Sequence, residues 1–130
     1  MPIQVVSLPC FTGSDFSAGP KRLLLPQGEM SLLHPACPEI RTLCHLIFKK
    51  DTKRGGHYHR EKTEYLYLIT GEVSLSTRDR VSGETSAHSL KGGDLVIITP
   101  NIEHTYLCTA EGIAVEFTDA SPNPADTIKV

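Results

Sequence analysis

The chain has 130 residues and a net charge of −2, from 13 basic and 15 acidic side chains, with no basic block longer than Lys49 and Lys50. That length holds one domain with a buried core and leaves no room for a second, and the balanced charge offers no footprint for nucleic acid or an anionic membrane. Apolar runs such as 23–25 and 95–98 fall far short of the roughly 20 residues that span a bilayer, and with no export pattern at the N-terminus the expected setting is cytoplasmic.

Residues 7–38 carry five of the nine prolines and several glycines, which predicts a mostly irregular segment over 1–38 with short extended pieces at 21–25 and 29–33. From residue 40 the pattern changes to short β-prone runs. Strands are predicted at 40–49, 56–59, 64–70, 72–77, 86–90, 95–98, 104–108 and 113–118. Turn signals separate them at Thr70 and Gly71, at 79–84 around Gly83, at 91–94, at 99–101, and at Glu111 and Gly112. No amphipathic helix and no internal repeat is visible, so the prediction is a closed antiparallel all-β barrel over 39–120, followed by a tail, 121–130. The four cysteines, Cys10, Cys37, Cys44 and Cys108, lack C-x-x-C spacing and read as reduced, mostly buried thiols.

The chemistry concentrates around His57 and His59, two apart in a β-run and therefore on one face of it, with Tyr58 on the other. Glu64 follows at an odd spacing, and the polar stretch Arg60, Glu61, Lys62, Thr63 fits a short hairpin connection that returns Glu64 opposite the histidines. His104 opens a later strand and supplies a fourth donor. Three imidazoles and a carboxylate suit one divalent transition metal ion such as Zn, Mn, Fe or Ni rather than Ca or Mg. A polar core without metal is the plainer alternative for the same residues.

His57-Tyr58-His59, then Glu64, then Gly71 resembles the first motif of the cupin superfamily, and Gly93-Asp94 through Pro100 to His104 resembles the second. The likeness covers about residues 40–120. It implies a double-stranded β-helix, or jelly roll, with a metal inside the barrel on His57, His59, Glu64 and His104. It also implies a homodimer. Three positions depart from the pattern: Asp51 stands where a glycine is usual, Thr99-Pro100-Asn101 replaces a Pro-x-Gly turn, and Cys108 replaces an asparagine. Asn101 tolerates the left-handed conformation such a turn needs. A narrower likeness, Arg54-Gly55-Gly56-His57-Tyr58-His59 followed by Lys62-Thr63-Glu64, together with the tail from Asn123 to Ile128, is similar to cupins that isomerise or epimerise keto-sugar nucleotides, some of them without metal and with a histidine as acid or base.

Strand parity with His104 and Glu64 inward puts Tyr106, Cys108, Leu66 and Leu68 inside, and the expected inward face of the 40–49 strand is Arg41, Leu43, His45 and Ile47. His45 and Tyr106 are then the candidate proton-moving groups, and Arg54, Tyr67 and Cys108 the candidate contacts to a small oxygen-bearing ligand. Glu116 and Asp119 read as ordinary solvated charges. Such a site suits redox-neutral isomerase or epimerase chemistry on a carbonyl or sugar-like substrate, or dioxygenase chemistry if the metal is redox-active iron. The competing class is a barrel that binds or senses a small ligand without catalysis.

Overall fold

The computed structural model describes residues 3–13, 19–33 and 39–130. Among the described residues eleven strands follow one another: β1 Ile3–Ser7, β2 Cys10–Thr12, β3 Lys21–Leu25, β4 Gly28–Leu32, β5 Thr42–Phe48, β6 Lys53–Tyr58, β7 Glu64–Asp79, β8 Thr85–Lys91, β9 Asp94–Ile98, β10 Ile102–Thr118 and β11 Ile128–Lys129. The helical content of the described residues is a single 3-10 turn, Pro124–Asp126.

The frame is the antiparallel pairing of β7 with β10, which runs from Ile102 beside Asp79 to Thr118 beside Glu64. Each long strand changes its second neighbour halfway. The first part of β7 pairs with β9 and the later part with β8; the first part of β10 pairs with β6 and the later part with β5. Two sheets result, β1-β9-β7-β10-β5 and β8-β7-β10-β6-β11, joined by strands that pass from one to the other. This is the jelly roll, a double-stranded β-helix.

The sequence signals at Thr70-Gly71 and Glu111-Gly112 are corners inside continuous strands, where turns between separate strands were expected. The register of β7 against β10 slips between Cys108 and Ala114, so both chains bend together there. Glycine is required at this crossing: Gly71 has φ +98°, its added Cβ would lie 2.7 Å from Gly112 Cα, and a Cβ on Gly112 would collide with the Thr70 carbonyl.

The core lies between the two sheets, built from Phe48, Leu66, Leu68, Val73, Leu75, Leu90, Val96, Ile98 and their neighbours. A second apolar layer covers the outside of the first sheet, where Tyr65, Tyr67, Leu95 and Phe117 pack under Leu8 and Leu33. Both faces of β7 are therefore buried from Glu64 to Leu68, and the strand reads as a continuous apolar run instead of an alternating one.

The N-terminal third supplies this cover and is more regular than its prolines suggest. The extended pieces expected at 21–25 and 29–33 are β3 and β4, which with β2 form a small separate sheet. β1, which was not anticipated, pairs with β9 in the barrel. Cys108, expected on the inward face, is buried, whereas Cys10 and Cys44 are exposed; Cys37 lies outside the described residues. Asp51 and Asn101, at two of the departures from the cupin motifs, have φ of +65° and +67°. Aspartate and asparagine reach this left-handed region with less strain than other residues carrying a Cβ.

Candidate functional site

Three strands and one loop bring the polar cluster together. On β6 the pairing with β10 slips between His104 beside His57 and Thr105 beside Gly55, leaving Gly56 as an extra residue. Gly55 and Gly56 hold φ of +97° and +71°, and a Cβ on Gly55 would lie 2.5 Å from the His104 carbonyl oxygen. The bulge re-aims the end of the strand, so that His57 and then His59 turn inward while Tyr58 packs beneath Arg80 on the other side. β6 pairs with β10 and β11 and not with β7. The polar loop 60–63 is therefore a crossover between the two sheets, where the sequence suggested a hairpin, and Glu64 reaches the histidines across the barrel interior.

His57, His59, Glu64 and His104 each offer one donor atom, all within 4.8 Å of one another. Glu64 Oε1 lies 2.8 Å from His59 Nε2 and Oε2 lies 3.1 Å from His104 Nε2. The second nitrogen of each buried ring is engaged by main chain: His59 Nδ1–H donates to the Asp126 carbonyl at 2.8 Å and His104 Nδ1–H to the Ile102 carbonyl at 2.9 Å. That tautomer leaves both Nε2 lone pairs pointing at the centre of the cluster, the arrangement metal-bound histidines adopt. Despite the short approaches, His59 Nε2 and Glu64 Oε2 lack an aligned hydrogen-bond partner. Two donors about 2.1 Å from a shared ion are at most about 4.2 Å apart, so a sub-ångström contraction lets these residues close on a divalent transition metal. The donor set fits the ion.

Charge is tightly organised. Burial opposes ionisation of Glu64, but the close approach of the His104 and His59 rings outweighs it and holds the carboxyl well below its usual range. Burial likewise disfavours the charged His104 ring, yet its contact with Glu64 raises its pKa above the ordinary value. His57 is lowered to about 4, by burial first and then by the neighbouring His104 and His59, so it is neutral at pH 7.

A cavity of about 150 Å³ opens beside three of these donors, His57, Glu64 and His104. Leu46, Phe48 and Tyr106 form its walls, Arg54 stands at its edge, and Glu116 faces into it. The Arg54 guanidinium lies 5.5 Å from the centre of the Phe48 ring and donates to the Ile47 carbonyl at 3.0 Å. The Tyr106 hydroxyl is buried without a hydrogen-bond partner, and burial, then the charges of Glu64 and Glu116, push its pKa well above the usual phenol value. Glu116 is raised to about 7, chiefly by burial and then by the charge of Glu64.

Of the candidate residues, His57, Glu64, His104, Tyr106 and Arg54 line this cavity, His59 lies in the donor cluster beside it, and three others do not reach it. His45 is exposed on the outer face of β5. It pairs with Val115, whose face packs on the outer apolar layer, and the inward side of β5 carries Leu46 and Phe48 instead. The outward Leu43 and Ile47 are 66% and 54% exposed, so apolar character misleads about which side of this edge strand is inside. Tyr67 lies on the opposite face of β7 from Glu64, in the outer layer, with its hydroxyl 2.9 Å from Ser31 Oγ. Cys108 is inside the barrel but sunk in the apolar core, its thiol directed at the Ala110 carbonyl.

Glu116 is the residue that sequence reading missed. In register it sits beside Leu66, two positions from Thr118 beside Glu64, so it shares the inward face. The alternation Ile113, Val115, Phe117 on the other face concealed this, because those apolar side chains point outward.

The family model for the cupin domain matches residues 45–121. No curated protein matches the chain in sequence. Among solved structures, a 3,4-ketoisomerase from Helicobacter canadensis superposes with a TM-score of 0.80 at 15% identity, covering 100% of this chain and 92% of the other. A mutant of the 3,4-ketoisomerase QdtA from Thermoanaerobacterium thermosaccharolyticum, in complex with TDP-4-keto-6-deoxyglucose, gives 0.78 at 14% identity over 99% and 88%. NovW, a 4-keto-6-deoxy sugar epimerase from Streptomyces spheroides, gives 0.72 at 16% identity over 85% and 66%. The motif residues, the jelly roll and the family match agree, and the chain belongs to the cupin family.

Proposed function

We propose that this cupin is a metal-dependent isomerase or epimerase acting on a small carbonyl-bearing, sugar-like substrate. One observation carries the reading: the same cavity is bordered by three of the four metal-ligand candidates and by two protein groups able to hold or move a proton, Glu116 and Tyr106. The neighbouring keto-sugar isomerase and epimerase structures add support at the level of substrate class.

A divalent ion on His57, His59, Glu64 and His104 would polarise a substrate carbonyl as a Lewis acid. Glu116, raised to about 7, takes the proton from the carbon next to that carbonyl. The C–H electron pair becomes the double bond of an enediol, and the hydroxyl of the buried Tyr106 steadies the developing oxygen charge. Return of the proton to the former carbonyl carbon, with the proton of the other hydroxyl passing to the former carbonyl oxygen, moves the keto group by one position. Delivery of a proton to the original carbon on the opposite face by a second donor, a role open to the Tyr106 hydroxyl, inverts it while Glu116 keeps the proton it took. Neither outcome consumes an oxidant. At about 150 Å³ the cavity is smaller than the roughly 300–1,000 Å³ typical of ligand pockets, so the reacting ring end enters and any larger substituent stays outside, within reach of Arg54.

The test is elemental analysis of the purified protein beside His59→Ala and Glu64→Ala, with solvent-deuterium uptake into a TDP-4-keto sugar as the activity readout. A near-stoichiometric transition metal lost in both variants, with uptake lost in step, is the expected result. A wild-type protein that carries no metal after reconstitution sinks metal dependence. Uptake that persists in that metal-free protein would favour a second reading, in which the neutral His57 ring facing the cavity serves as the base.

A further inference from the structure

The C-terminal segment is tied to the site more closely than an edge cover requires. Ile128 pairs with Tyr58 and Lys129 with His57, and the Val130 amide donates to the Gly56 carbonyl at 3.0 Å. Just before this strand sits Asp126, a carboxylate only 6% exposed. Its Oδ1 accepts the backbone N–H groups of Arg60 at 2.8 Å and Glu61 at 3.1 Å, and its Oδ2 accepts that of Lys62 at 3.2 Å. Its main-chain carbonyl accepts His59 Nδ1–H at 2.8 Å. One residue thus grips both His59 and the loop that separates His59 from Glu64.

Burying a carboxylate costs several kcal/mol unless hydrogen bonds compensate. Here the compensating donors all come from the loop between two candidate ligands, so this side chain holds three of its four amides, Asp119 Oδ1 taking that of Thr63 at 3.1 Å. The carbonyl contact acts on a different property, the location of the ring proton, because an acceptor at Nδ1 keeps Nε2 free to bind.

We infer that Asp126 is a positioning residue of the site: its carbonyl fixes the His59 ring with Nε2 facing Glu64, its side chain fixes the His59 to Glu64 span, and the tail acts as a strap on which ligand affinity depends. The inference rests on His59 and Glu64 being metal ligands, and it concerns no step of the reaction.

The experiment compares full-length wild type, Asp126→Ala, Asp126→Asn and Asp79→Ala. Asp79 is a control of similar kind: its Oδ1 accepts the amides of Val81 at 2.8 Å and Ser82 at 3.3 Å in a different loop. Cobalt(II) is titrated by calorimetry, and the nitrogen shifts of His59 are read by NMR in the metal-free proteins. Second-layer losses of this kind typically cost about 10–100-fold in metal affinity, and that drop is expected for Asp126→Ala, with Asp126→Asn intermediate and Asp79→Ala unchanged. His59 should be protonated on Nδ1 in wild type and also in Asp126→Ala, which keeps the main-chain carbonyl that accepts from it. Cobalt affinity in Asp126→Ala within about twofold of wild type, or a wild-type His59 protonated on Nε2, overturns the strap even if the variant melts earlier. Should wild type bind no cobalt, the ligand reading of the preceding section falls, and the tautomer measurement alone decides the strap.

Discussion

Four residues stand side by side across one sheet: His57 on β6, His104 on β10, Thr77 on β7 and Ser86 on β8 pair in that order. The two halves of this polar row end differently. On the β8 side the hydroxyls of Thr77 and Ser86 share a short hydrogen bond, and Ser86 Oγ lies 3.1 Å from His88 Nε2, so the trio closes on itself. On the β6 side His59 Nε2, Glu64 Oε2 and the Tyr106 hydroxyl remain without hydrogen-bond partners. Each half borders a cavity, of about 150 Å³ at the histidines and about 170 Å³ at Thr77, Ser86 and His88. Polarity, cavity size and the presence of a histidine therefore do not separate them. Unfilled donor and acceptor capacity does, because a buried polar group left unpaired costs about 1–3 kcal/mol and persists where a ligand repays it.

The sharpest way to break this contrast is Glu116→Gln, which keeps the shape of the histidine-side cavity and removes its proton carrier. General acid–base contributions are about 10²–10⁴-fold, and kcat should fall within that range. Metal content should stay at the wild-type level, since Glu116 is not among the clustered donors. A variant that keeps wild-type turnover would remove Glu116 from the chemistry and return the proton to the histidines.

How far the sequence carried this contrast depends on whether a residue's role is local. His57, His59, Glu64 and His104 were legible because each sits at a strand end marked by nearby glycines or turn residues, and the β-period fixes the relation of His57 to His59. The strand positions from β5 to β10 were legible for the same reason. What failed needed knowledge of the layers. His45 was assigned inward and Tyr67 to the ligand, whereas the N-terminal strands cover the outside of the first sheet, so Tyr65 and Tyr67 are buried while pointing away from the site. Glu116 was hidden by the same cover, since the apolar side chains beside it face outward. The corners at Gly71 and Gly112 looked like turns between separate strands because glycine serves both a turn and a close crossing, and only the long-range pairing of β7 with β10 distinguishes them.

A medium-sized effect should appear in stability against pH. Glu116 rises from an ordinary 4.5 to about 7 in the folded protein, through burial first and then the charge of Glu64, with Lys62, His104 and His59 pulling the other way. A folded-state pKa above the unfolded one means that the native state holds the proton more tightly. The stability contributed is complete below about pH 4.5 and is lost as pH rises through about 7. The upper bound is about 3 kcal/mol, lowered by the water that reaches this half-buried carboxyl. Relative to wild type, metal-free Glu116→Gln should match in melting temperature near pH 4 and melt higher at pH 8. Parallel curves across that range would show that Glu116 ionises freely.

The smallest effect belongs to the closed half of the row. Thr77→Val replaces a hydroxyl with a methyl of similar size, leaving Ser86 still within reach of His88. Losing one satisfied hydrogen bond costs about 1 kcal/mol, a drop of roughly 2–6 °C in Tm for a domain of this size, and nothing in the substitution introduces a charge that would make the drop vary with pH. Metal content and turnover should be unchanged, even though Thr77 is the direct neighbour of His104 in the sheet. Loss of metal from Thr77→Val would mean that the two halves act as one network through His104, so that the filled hydrogen bonds beside Ser86 help to aim the unfilled ones beside Glu64.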